Sequence, residues 1–169
     1  MFRIFSNVVF IMLFANCMQP QTEIPFAELE APEGIAVNDR RNELIEFAKK
    51  YLGTTYQYAG MDPGKGFDCS GFVYFVFQKF SIDVPRSSGE YKSFGISLKP
   101  EEFRLGDVLV FYGYQDNTQI GHVGIICEAN GMNSKFIHAS SGEPYGVTIS
   151  DLNSEMYTRR FYTCIDVMH

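Results

Sequence analysis

Three side chains of this sequence have the types and order needed for covalent chemistry on a carbonyl: Cys69, His122 and His138. A thiol nucleophile needs a base that takes its proton and later returns it to the leaving group. It also needs a third group that holds the base in the right tautomer. Cys69 stands in Gly66-Phe67-Asp68-Cys69-Ser70-Gly71, between two glycines and beside an acid and a hydroxyl. His122 opens the apolar run His122-Val123-Gly124-Ile125-Ile126, so it can point from a strand end into a cleft. His138 lies in Phe136-Ile137-His138-Ala139, and a second imidazole accepting from His122 would fix its tautomer as an Asp or Asn does elsewhere. Spacing alone leaves a plainer reading open, with His138 a satisfied core histidine and His122 a strand-edge residue. A zinc site on the same three residues is disfavoured, because the chain has four cysteines but no CxxC or HxxxH pair. No metal or other cofactor is expected.

These residues need elements to position them. Cys69 to Phe80 is rich in aromatics and valines, which suit a strand, but it is long enough for a helix and Asp68 is a good N-cap residue. A buried helix is expected, with Cys69 in its first turn, where unpaired amides and the helix dipole would favour a thiolate. Before it, residues 54–66 carry several glycines and Pro63, which point to a constrained loop. A first helix is expected from a cap at Asn38 or Asp39 to about Leu52. Pro85 to Gly95 reads as a turn and a short irregular or helical segment. Residues 107–112, 122–127, 135–139, 147–150 and 160–167 are expected strands, separated by turn-prone clusters. Short connections favour antiparallel pairing, so the class is α+β, with helices packed on an antiparallel β-sheet.

The chain has 169 residues and a net charge of -6, enough for one core-bearing domain and without the basic footprint of a nucleic-acid binder. Residues 1–16 read as an export signal: Arg3 is the one charge, and the apolar stretch Val8 to Ala15 is too short to span a bilayer. Phe14-Ala15-Asn16-Cys17 resembles a bacterial lipoprotein signal, in which Cys17 becomes the acylated first residue and a membrane anchor. Residues 17–37 hold spaced prolines and acids and no base, and are expected to form an extended tether. Residues 38–169 would be the catalytic domain. Cys127 and Cys164 are expected to be buried free thiols rather than a disulfide.

The motifs together resemble one family. Gly53-Thr54-Thr55-Tyr56-Gln57-Tyr58-Ala59-Gly60, the Cys69 hexapeptide, Val84-Pro85-Arg86, Leu105-Gly106-Asp107-Val108-Leu109-Val110-Phe111, Gly121-His122-Val123-Gly124-Ile125 and Phe136-Ile137-His138-Ala139 are similar in order and spacing to the NlpC/P60 cysteine peptidases of bacterial cell walls. The resemblance implies a compact papain-like domain. It also implies Cys69 as nucleophile, His122 as base, His138 as the orienting residue and Tyr56 as an oxyanion partner. Asp68 and Ser70 become substrate-binding candidates. Arg86 is a third, with a structural ion pair as its alternative. The reaction implied is hydrolysis of peptidoglycan stem peptides, at the bond between γ-D-glutamyl and a diamino acid, through an acyl-enzyme. Departures at Ala59, where glycine is usual, and at Glu90-Tyr91, where glutamine is common, bear on substrate choice. An exported, lipid-anchored monomer is expected. The alternatives are a thiol amidase or acyltransferase acting outside the wall, and a catalytically idle wall-peptide-binding module.

Overall fold

Residues 33–168 are described by the structure, a computed structural model; the expected leader, Cys17 and the expected tether up to residue 32 lie outside the described residues. Helix α1 spans Glu33–Lys49. It starts before Asn38 and Asp39, which lie inside it and face solvent, so neither is its cap. It therefore takes in residues 33–37, which the proline and charge pattern puts in the extended segment; no proline follows Pro32 there to oppose the helix. Leu44, Ile45 and Ala48 of α1 are buried.

A two-residue hairpin of β1 (Met61–Asp62) and β2 (Gly66–Phe67) leads into helix α2, Cys69–Lys79. The helix forms as Asp68 predicts: its side chain accepts from the Gly71 N–H at 2.6 Å, an N-cap bond. Phe72, Val73, Val76 and Phe77 are fully buried. At about 1.5–3 kcal/mol for each such side chain, this face anchors the start of α2 against the sheet. Gly71 lets the helix come close to the preceding loop, since a Cβ there would lie 2.0 Å from the Gly60 carbonyl oxygen.

The sheet contains β3 (Ile96–Leu98), β4 (Val108–Tyr112), β5 (Ile120–Glu128), β6 (Lys135–Ser140), β7 (Gly146–Asp151) and β8 (Phe161–Asp166). Its order is β3-β8-β4-β5-β6-β7 and every pairing is antiparallel. The five expected strands are present. β3 is an addition, as is the six-residue helix α3 (Glu155–Arg160), which takes up Arg160 at the expected start of β8. Strand alternation divides the core. Val108, Val110, Val123, Ile125, Ile137, Ala139 and Ile165 pack against α1 and α2. Leu109, Phe111, Ile126, Phe136 and Cys164 face the other way, against Tyr157 of α3. Cys127 and Cys164 are both buried free thiols, one in each half of the core.

Candidate active site

The Cys69 thiol sits at the first residue of α2 and is only 9 % exposed. Its Sγ lies 4.0 Å from the Gly121 carbonyl oxygen, and the Val123 backbone N–H also reaches it, so the sulfur meets β5 at the two neighbours of His122. β5 is bulged here: Phe111 pairs with His122, but Tyr112 pairs with Ile120. Such an irregularity re-aims the side chains beside it.

His122 and His138 meet edge to face. His122 Nε2 and His138 Nδ1 are 2.9 Å apart. His138 is fully buried, and its Nε2 has two hydroxyls at hand, Ser150 Oγ at 3.0 Å and Tyr157 OH at 3.3 Å. The four groups form a chain of hydrogen bonds that runs from a cleft wall into the core. When His122 donates from Nε2, its Nδ1 is left unprotonated. His138 then donates onward from Nε2 to a hydroxyl. The close packing of β5 on β6 depends on Gly124, where a Cβ would lie 2.5 Å from the Phe136 ring and 3.0 Å from His138 Cβ.

Burial is the main influence on these groups. It holds the His122 imidazole well below the ordinary value, helped by His138 and by the positive charge of Arg160. It brings His138 down to about 3, again with Arg160 contributing. Both rings are therefore neutral at neutral pH. The Cys69 thiol moves the other way from the expectation based on the helix N-terminus. Burial, and then the adjacent Asp68 carboxylate, push it up and outweigh the backbone donors of Val123, Ser70 and Cys69. The residue that caps the helix thus also sets a negative charge where the dipole would have favoured a thiolate.

Asp68, Ser70 and Arg86 form one cluster. Arg86 grips the Asp68 carboxylate with both Nη groups, at 3.0 and 2.9 Å, and reaches Ser70 Oγ at 3.2 Å and the Gly60 carbonyl at 3.3 Å. Of the two readings of Arg86, the geometry supports the ion pair: its fork is taken up inside the chain. Tyr56 is partly buried and packs edge-on against Tyr145 at 5.3 Å. Burial first, then the charges of Cys69 and Asp68, raise its phenol to about 12, so it stays a protonated donor beside the thiol.

Three neighbours of the site were not legible as such. Ser150 is diagonal to His138 across the β6–β7 pair, where His138 faces Thr148, so strand alternation held a signal for it. Tyr157 and Arg160 sit on α3, which is too short to announce itself. A cavity of about 790 Å³ opens beside the histidines and is walled by His122, Ser150, Tyr157 and Arg160 among others. Among the described residues, no group of three or more His, Cys, Asp or Glu is arranged to hold a metal ion.

The family model described as NlpC/P60 matches residues 53–166, which span the hexapeptide, both histidines and every strand of the six-stranded sheet. The chain belongs to the NlpC/P60 family. It is 32 % identical over 152 residues to the probable endopeptidase NlpC of Escherichia coli, covering 89 % of this chain and 90 % of that one. It is 37 % identical over 115 residues to the γ-DL-glutamyl hydrolase of Bacillus subtilis, covering 68 % of this chain and 26 % of that protein's length. Among solved structures, an NlpC/P60 family protein from Bacillus cereus superposes with a TM-score of 0.67 at 27 % identity, covering 76 % of this chain and 40 % of that one. The chain thus spans only a part of the two Bacillus relatives, whereas it spans most of the E. coli one.

Proposed function

We propose that this NlpC/P60 chain is a cysteine peptidase that hydrolyses amide bonds in peptidoglycan stem peptides, at the γ-D-glutamyl–diamino acid bond. The observation that carries the reading is the His122–His138 pair at 2.9 Å, backed by hydroxyls and set on the strand that touches the Cys69 thiol. His122 takes the thiol proton as the sulfur attacks the substrate carbonyl. The Cys69 N–H at the helix start and the Tyr56 phenol donate to the developing oxyanion. The tetrahedral intermediate collapses to a thioester, and the amine leaves with the proton that His122 returns. Water, deprotonated by His122, then releases the acyl group and frees the thiol. His138 acts through His122 by holding its tautomer. Asp68 and Ser70, locked by Arg86, form the floor on the acyl side.

Cys69→Ala should stop the release of stem-peptide fragments from purified peptidoglycan, read by mass spectrometry, while leaving the fold intact. Unchanged release would refute the mechanism. The sequence around Cys17 supports a lipid anchor that carries the domain outside the cytoplasm. Cys17→Ser should move the protein from the membrane to the soluble fraction; wild-type protein found soluble would overturn the anchor.

A further inference from the structure

Three arginines of the described residues hold a carboxylate. Arg41 binds Asp107 and Asp166, Arg86 binds Asp68, and Arg104 binds Asp166. Arg160 is different. Its Nε donates to the Tyr112 carbonyl at 2.9 Å, which fixes the plane of the guanidinium. The guanidinium also lies over the Tyr114 ring, 5.7 Å from the centroid. Among the described residues its two Nη groups have no carboxylate within ion-pair distance and no hydrogen-bond partner. It is partly buried, and it lines the cavity that His122 also walls. A cation in that position has given up part of its hydration without gaining a counter-charge, so a planar anion that fits its fork is the ligand it lacks.

The cavity has a defined place in the reaction. A leaving amine must lie against the group that protonates it, and that group is His122. The cavity is walled by His122 and not by the Asp68–Ser70–Arg86 cluster, so it belongs to the leaving side of the scissile bond. We propose that Arg160 is a specificity-determining residue, whose two Nη groups bind a carboxylate on the amino acid that departs as the amine. This rests on the peptidase reading above. Asp116 and Glu143 line the same cavity, and Asp116 is tied to the backbone and hydroxyl of Thr118. The cavity therefore offers both signs of charge, which suits a departing diamino acid that carries a carboxylate and an ammonium group.

Binding there would also act on the base. The charge of Arg160 helps hold both imidazoles down. A carboxylate seated on it offsets that charge and makes His122 a better base when substrate is present. Removal of the charge should therefore shift the acid limb of kcat/KM upward in pH.

The test uses full-length protein with Cys69→Ala, so that binding is read without turnover. The probes are three forms of an alanyl-γ-D-glutamyl tripeptide ending in diaminopimelic acid: unmodified, amidated at the α-carboxylate, or amidated at the distal carboxylate. Calorimetry should show that one of the two amidations weakens binding by about tenfold or more, and which one identifies the carboxylate held. Adding Arg160→Gln should abolish the difference between free acid and amide. Equal affinity for all three peptides, or a penalty that survives Arg160→Gln, overturns the proposal and leaves the peptidase reading standing. No binding of any of the three overturns the stem-peptide reading and this proposal with it. The comparison of amides needs no Arg160 variant, so equal affinity overturns the proposal even where Arg160→Gln fails to fold, and Arg160→Lys, which keeps the charge and loses the fork, then stands in for it.

Discussion

At the residue scale, the resting charges of the proposed nucleophile and its proposed base decide how the proposed reaction starts. A thiol pushed up and an imidazole held down make a neutral pair at neutral pH, not a thiolate beside an imidazolium. Proton transfer then accompanies attack instead of preceding it. Alkylation of Cys69 by iodoacetamide, followed by mass spectrometry, should be slow at neutral pH and climb only above the ordinary thiol value of 9.0. The acid limb of kcat/KM should lie below the ordinary imidazole value of 6.5. Fast alkylation that stays level through the acid range would show a preformed ion pair and refute this account.

At the scale of elements, α2 brings the thiol and the β5–β6 pair brings the histidines, so the site depends on how closely those strands pack. Gly124 is the point of close approach between β5 and β6. A methyl group there meets a fully buried Phe136 and the Cβ of His138, neither of which has space to give. Overpacking of this kind costs about 1–3 kcal/mol. Gly124→Ala should lower the unfolding free energy by that amount in a denaturant titration and reduce kcat by moving His138 relative to His122. A variant as stable and as active as the wild type would show that the strands separate freely. The loop before α2 carries the opposite strain: Ala59 sits at φ 58°, where a glycine would be at ease.

At the scale of the whole domain, α1 is tied to the sheet by charge as well as by apolar packing. Arg41, 2 % exposed, reaches Asp107 at 2.8 Å, Asp166 at 2.7 Å and the Leu105 carbonyl at 2.7 Å. Burial raises the Asp107 carboxyl despite these donors. At Asp166 the Met168 N–H, Arg41 and Arg104 together outweigh burial and lower it. Arg41→Ala should cost about 3–5 kcal/mol in denaturant unfolding, because it leaves two buried carboxylates short of their partner. A cost below about 1 kcal/mol would show that water replaces the arginine. Acid acts on the domain through His138. Its folded value of about 3 lies below the unfolded 6.5, so its contribution to stability is fully present above 6.5 and is lost as pH falls toward 3.

The sequence by itself determined the family, the candidate reactive set and most of the elements. Cysteine chemistry requires a thiol, a base and an orienting group, and local rules sufficed for the Asp68 cap, for α2 and for five strands. These depend on neighbours in the chain, through capping bonds, alternation and turn residues. Only the tertiary structure decided what depends on distant neighbours. The start of α1 at Glu33 overrode two good capping residues inside it. The Cys69 thiol rises because burial and Asp68 act against the helix terminus, and burial is a property of the folded whole. Arg86 spends its fork on Asp68, whereas Arg160, hidden at the end of a six-residue helix, keeps its own facing the cavity. Two arginines that look alike in the sequence differ in what their charge meets, because only the fold supplies the surroundings.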